Sequence, residues 1–314
     1  MAAAGSAALV HGLVIAGDIP IAGAHAAPPG SVADLTISLL DAEPVPEGPP
    51  PGELVATFDL PGARYDATRD GDVLRMRFHG TASFDVDLAT GDVEARPAPG
   101  REGMVDVLLP GNVIALILGL RGEVVLHASA VVADGSCTAT IGPSGAGKST
   151  LTYLLSGAGM RLLTDDTARV GSSNGSPAIH RGASEVRLRG PVAAAARNGE
   201  AEEIRESADG RTVIRLPAAD APISPIGRLL VPAWSEEAVE LSVERLGERD
   251  TLHALLRSSR VAGWVAPEPL ATMFDSASRL AATVPAHRLT MPRGGFEDDS
   301  LPDRVAECLV EADS

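Results

Sequence analysis

Gly142-Pro143-Ser144-Gly145-Ala146-Gly147-Lys148-Ser149-Thr150 fits the pattern G-x-x-x-x-G-K-[ST]. The apolar run Cys137–Ile141 before it reads as a strand. Residues 148–156 after it read as a helix with Leu151, Leu154 and Leu155 on one face. Between a strand and a helix, such a loop aims its backbone N–H groups at phosphate oxygens, and the helix adds the positive end of its dipole. Lys148 is the single lysine among 26 basic residues. Its compact ammonium suits a phosphate cradle better than a planar guanidinium does. Gly142, Pro143, Ser144, Gly145, Ala146, Gly147, Lys148, Ser149 and Thr150 are therefore the expected nucleotide-binding residues. Lys148 should reach the terminal phosphates, and Ser149 should ligate Mg²⁺.

Working outward, Met160–Leu163 reads as the next strand and ends at Thr164-Asp165-Asp166. A carboxylate placed there holds the metal or takes a proton from an attacking hydroxyl. Adjacent strand residues face opposite ways, so one aspartate is expected at the phosphate cleft while the other braces a loop or touches the metal indirectly. Upstream, His127 lies in the strand-like run Val125-Leu126-His127-Ala128-Ser129. A lone histidine there is either a hydrogen-bonded core residue or part of the site.

Composition narrows the partners. The chain has 314 residues, 45% of them hydrophobic and 3% aromatic, so Val, Leu, Ile and Ala must fill its core. A formal net charge of −16 argues against a long nucleic-acid ligand, which needs a basic surface. Cys137 and Cys308 are far apart and form no metal-binding spacing, which fits a reducing cytoplasm. Ala7 to Ala27 is mostly apolar, but no basic residue precedes it and His11 and Asp18 interrupt it, unlike a signal peptide. It reads as two short strands, Ala8–Ala16 and Ile19–Ala22, joined at Gly17-Asp18. No apolar run reaches the roughly 20 residues of a membrane span, so no membrane partner is expected.

Two domains are expected, a β-rich one over 1–105 and a P-loop catalytic one over 106–314. The first shows short strands with turns at Asp70-Gly71-Asp72 and Thr90-Gly91-Asp92, plus a Pro-rich linker from Glu43 to Pro51, extended or mobile. Residues 111–121 read as a buried helix, and 250–260, 270–283 and 303–312 as further helices. The polar stretches 171–177 and 199–210 suit active-site loops or surface turns.

The segment from Leu126-His127-Ala128-Ser129-Ala130-Val131 through the loop to Leu162-Leu163-Thr164-Asp165-Asp166 resembles the HPr kinase/phosphorylase family, especially its short relatives in peptide-modification clusters. The resemblance implies an α/β P-loop kinase core like that of phosphoenolpyruvate carboxykinase, with ATP and Mg²⁺ as donor and metal. It also implies phosphoryl transfer to a serine hydroxyl on a peptide or small protein, and a possible homo-oligomer. In that family's pattern Lys148 is the phosphate lysine and Ser149 a metal ligand. Asp166 matches the general base, and His127 matches an active-site histidine; Asp165 is expected from its position beside Asp166 as a catalytic or metal-holding carboxylate. Glu185, in Ala183-Ser184-Glu185-Val186-Arg187-Leu188-Arg189, stands nearest to a further metal-ligating glutamate. No equivalent of the arginine-containing loop tied to phosphorolysis is present, which points to a one-directional kinase.

Other classes weigh differently. An ABC-type ATPase would need a glutamine loop, an LSGGQ-type signature and a strand ending in Asp-Glu well downstream, and Leu155-Ser156-Gly157 lies too near the loop to serve. A kinase of a small alcohol such as free serine, or a non-catalytic nucleotide sensor, would use the same loop.

Overall fold

A computed structural model describes residues 7–60, 63–190, 192–194, 204–292 and 300–311. The architecture is mixed α/β, built on two large mixed sheets and one small sheet.

The first sheet comprises β1 (Ala8–Val10), β2 (Leu13–Gly17), β3 (His25–Ala26), β4 (Leu35–Leu39), β5 (Glu53–Leu60), β6 (Ala63–Asp70), β7 (Val73–Phe78), β8 (Ala82–Asp87) and β9 (Asp92–Pro97). Their order is β3-β1-β2-β4-β9-β8-β7-β6-β5, and only the β2–β4 and β4–β9 pairs are parallel. Strict alternation makes the sheet one-sided: Leu74, Met76 and Phe78 of β7 and Ala82, Phe84 and Val86 of β8 turn inward, while Arg75 and Arg77 do not. The helical segment α1 (Glu102–Leu120) covers that face and buries Val105, Leu109 and Val113–Leu118 in one cluster with the strands. Each such Leu or Ile contributes roughly 1.5–3 kcal/mol by leaving water.

By length and composition α1 could cross a membrane, a feature the sequence reading had not expected. Its apolarity is accounted for by burial, since it forms the centre of the first core. It straddles the division expected at 105/106. Its course includes one wide π-helical turn, Leu109–Val113, at Pro110-Gly111-Asn112.

One local expectation is corrected. The first turn falls at His11-Gly12, not Gly17-Asp18, and no strand covers Ile19–Ala22. His11 and Gly12 both adopt positive φ, which closes a two-residue hairpin whose twist suits the flanking strands. The Pro-rich stretch is strapped onto the sheet, because Arg77 donates to the carbonyls of Gly48 and Pro49 at 3.1 Å and Thr68 donates to that of Pro51 at 2.8 Å.

The second sheet holds β10 (Val124–Leu126), β11 (Ala128–Ala133), β12 (Ser136–Ile141), β13 (Arg161–Thr164), β14 (Ala168–Ser173), β15 (Ser176–His180), β19 (Ile223–Ser235), β20 (Ser242–Arg245) and β21 (Ala286–Pro292). β19 is the pivot: it runs parallel to β12 and β21 and antiparallel to β15. Neighbouring residues serve opposite faces. Leu230 and Val131 pack with α2 (Lys148–Gly157) and α5 (Leu301–Glu311), whereas Leu229 and Ala130 share a cluster with α3 (Glu248–Leu256) and α4 (Pro267–Thr283). Helices thus cover both faces. A third sheet of β16 (Glu185–Leu188), β18 (Thr212–Arg215) and β17 (Ile204–Glu206) packs beside α2 through Val186, Leu188 and Ile214. The expected polar stretch 199–210 lies partly outside the described residues, and 312 lies wholly outside them.

Candidate functional site

The loop at 142–147 links β12 to α2, as the sequence pattern requires. Gly147 caps the helix at φ 90°, a conformation side chains avoid, and a Cβ there would overlap the Trp234 indole nitrogen. Trp234, on β19, donates from that nitrogen to the Ala146 carbonyl at 3.1 Å and so pins the loop from the neighbouring strand.

Lys148 is 5% exposed and folds back into the loop, where its ammonium donates to the carbonyl oxygens of Gly142 and Pro143, both at 2.9 Å. Burial, against the pull of Asp166 and Asp165, lowers its pKa to about 8. A phosphate entering the loop would supply the counter-charge the ammonium lacks.

The two aspartates at the end of β13 take different tasks. Asp165 accepts hydrogen bonds from Ser129, from Ser149 at 2.8 and 3.1 Å, and from the Arg187 backbone N–H at 3.1 Å. Burial raises its pKa and the adjacent Asp166 adds to this, while the three donors work the other way. Asp166 sits at φ 67°, a left-handed backbone that costs a non-glycine residue about 1–2 kcal/mol. That kink replaces the strand alternation expected of the pair and turns its carboxylate to Arg260 at 2.9 Å and to His127 Nδ1 at 3.1 Å. Burial alone would raise the Asp166 pKa, but Arg260, His127 and Arg211 outweigh it and hold the carboxyl well below the usual range. Two neighbouring carboxylates are thus driven in opposite directions, a pattern common at reacting centres.

His127 reaches the site because the strand-like run 125–129 is broken at this residue into β10 and β11. Its N–H donates to the Ser258 carbonyl at 2.6 Å, so the backbone leaves the sheet and the ring enters the cavity.

Arg260 had no sequence signal among many arginines, yet it organises the site. Its guanidinium reaches Asp166, Asn112 at 3.0 Å and Thr167 at 3.1 Å. The π-helical turn of α1 presents Asn112, and Gly111 beside it leaves the room: a Cβ there would lie 2.5 Å from the Arg260 nitrogen.

Two cavities meet at this cluster. One, of about 300 Å³, is lined by the loop, His127, Lys148, Ser149, Asp166 and the arginines 187, 189 and 211. It concentrates positive charge in a chain of net charge −16, as an anionic ligand requires. The second, of about 430 Å³, lies beyond Asp165 and Asp166 and includes Glu185, which ion-pairs with Arg205 at 2.6 Å. Asp166 and Arg187 line both. The structure therefore gathers Lys148, Ser149, Asp165, Asp166 and His127, and sets Glu185 in the adjoining cavity.

Ser149 and Asp165 form a hydroxyl–carboxylate pair of hard oxygen donors. That suits Mg²⁺, which takes one or two protein oxygens and completes its shell with phosphates and water. Among the described residues no group of three or more His, Cys, Asp or Glu gathers as a dedicated metal cage.

No family model matches the chain. No curated protein matches it either. Among solved structures the chain is similar to the Hpr(Ser) kinase/phosphatase from Coxiella burnetii, with 11% identity over 60% of this chain and 99% of that one, at a TM-score of 0.33. A likeness of that extent fixes neither family nor activity.

Proposed function

We propose that the chain is an ATP-dependent phosphotransferase that moves the γ-phosphoryl group to a hydroxyl, that of a serine on a peptide or small protein. The observation that carries this reading is the shared wall: Asp166 separates a basic loop cavity from a second cavity and is held by Arg260 and His127. In this reading the loop amides and Lys148 bind the phosphates, and Arg187, Arg189 and Arg211 offset the charge of the moving group. Ser149 and Asp165 would hold Mg²⁺, which supplies charge neutralisation between the terminal phosphates.

Asp166 is too weakly basic to strip a hydroxyl early. It instead orients the acceptor oxygen and takes up its proton as the new P–O bond forms, which suits a loose transfer. His127 fixes the carboxylate from the loop side. Glu185 is assigned to the acceptor side rather than the metal. The unit at 1–105 contributes to the acceptor cavity through His11, Ala22 and Gly103.

Calorimetry of ATP with and without Mg²⁺ tests the donor side. Wild type should bind ATP more tightly with Mg²⁺, and Ser149→Ala should lose that dependence while still binding ATP. Equal Mg²⁺ dependence in both proteins would refute the metal assignment.

A further inference from the structure

Arg260 is carried by the segment 257–266, which joins α3 to α4. The first half of this strap pairs with the second sheet. His127 N–H donates to the Ser258 carbonyl at 2.6 Å, Arg260 N–H donates to that of Val125 at 2.9 Å, and Ser259 bridges Leu126. The other half pairs with the first sheet. Thr57 N–H donates to the Gly263 carbonyl at 2.8 Å, Val265 N–H donates to that of Val55 at 2.8 Å, and Trp264 bridges Ala56. β5 is the last strand of the first sheet, so the strap satisfies backbone groups along an edge that would otherwise be open. Each half of the strap thus holds one sheet, and Arg260 sits just before the crossing.

The crossing is closely fitted. Gly263 adopts φ 78°, and a Cβ there would lie 1.8 Å from the Thr57 carbonyl oxygen. Trp264 lies against Gly119 of α1, where a Cβ would lie 2.4 Å from the indole. Between Arg260 and Gly263, the Ala262 carbonyl accepts a hydrogen bond from the Tyr65 hydroxyl of β6. Tyr65 is 4% exposed, and its ring lies beside those of Phe58 and Phe78, with centroids 6.1 and 5.4 Å away. That packing restricts the ring and aims its hydroxyl out of the first sheet. Burial pushes the Tyr65 pKa up, against the nearby Arg260, so the hydroxyl remains a donor.

Resting on the phosphotransferase reading, we propose that Tyr65 is a positioning residue for transfer: it fixes the strap at Ala262, the strap fixes Arg260, and Arg260 fixes the Asp166 carboxylate. Tyr65 lines neither cavity, so its effect on the reaction passes through Arg260. A small displacement of an orienting group lowers rate even where binding is intact. The first sheet therefore acts on the chemistry itself, besides lining the acceptor cavity.

Two variants test this. Tyr65→Phe removes the hydroxyl and keeps the ring, and Gly263→Ala lifts the strap from β5. The first measurement needs no activity. The Asp166–Arg260 coupling is obtained by urea denaturation of a double-mutant cycle (Asp166→Asn, Arg260→Met and both), built on wild type and on each variant. Each variant should lower the coupling at least about twofold, a change that a general loss of stability does not produce. An unchanged coupling in both overturns the proposal. The second measurement is the pH profile of kcat for transfer to serine peptides. Tyr65→Phe should lower kcat about tenfold with the KM for ATP unchanged. It should also move the acid limb to higher pH, because a looser Arg260 lets the depressed Asp166 pKa rise. Added to Arg260→Met, it should lower kcat no further; losses that multiply overturn the proposal. If the coupling falls but wild type transfers no phosphate, the positioning stands and the phosphotransferase reading fails. If wild type transfers and the coupling holds, the reading stands and the positioning fails.

Discussion

Asp166 and Arg260 should be energetically coupled, and a double-mutant cycle measures it. Asp166→Asn and Arg260→Met are made singly and together. At 2.9 Å the two charges attract by about 6 kcal/mol at an effective dielectric near 20. Both side chains are largely buried, 12% and 19% exposed, so desolvation offsets much of that. The coupling expected is about 2–3 kcal/mol at pH 7. The sign of the pH dependence follows from the depressed Asp166 pKa. Its stabilisation is present above the unfolded value near about 3.9 and is lost as pH falls through the folded one. The gap between wild type and Arg260→Met should therefore narrow below about pH 4. Urea denaturation followed by the fluorescence of the two tryptophans gives all four stabilities. A coupling under about 0.5 kcal/mol at pH 7 would refute the pairing and the clamp built on it.

Three further outcomes follow from the same geometry. Gly111→Ala should push Arg260 aside and reproduce the loss of stability of Arg260→Met; a wild-type denaturation midpoint would show that the guanidinium is not seated against the π-helical turn. Gly147→Ala should abolish nucleotide binding in calorimetry, since both φ and Trp234 exclude a Cβ, and retained affinity would contradict the loop geometry. With Lys148 at about 8, phosphate binding raises its pKa, so near pH 8.5 ATP binding should take up protons. That uptake appears as a dependence of the binding heat on buffer ionisation enthalpy, and Lys148→Met should remove it.

The strand, loop and helix around 142–150 were legible because their signal is contiguous: nine residues carry the turn, the lysine and the hydroxyl. Asp165, Asp166 and His127, singled out by spacing from Lys148, do come together beside the loop. Their division of labour was not legible, because it comes from a left-handed backbone at Asp166 and from Arg260, 94 positions away. Arg260 looks like any other arginine until Asn112 and Thr167 converge on it. Likewise Ala63–Asp70 is rich in charge and carries little strand signal of its own, and only pairing with β5 and β7 makes it a strand. The turn at His11 was missed because a histidine at positive φ carries no sequence mark. That same residue proves to line the second cavity.

Transfer itself tests the central claim most directly. The intact chain, ATP, Mg²⁺ and a panel of serine peptides are incubated together, and products are read by mass spectrometry. Wild type should add the mass of one phosphoryl group to an acceptor. Asp166→Asn should slow this by about 10²–10⁴-fold while binding ATP as before. Undiminished transfer by Asp166→Asn would contradict the account.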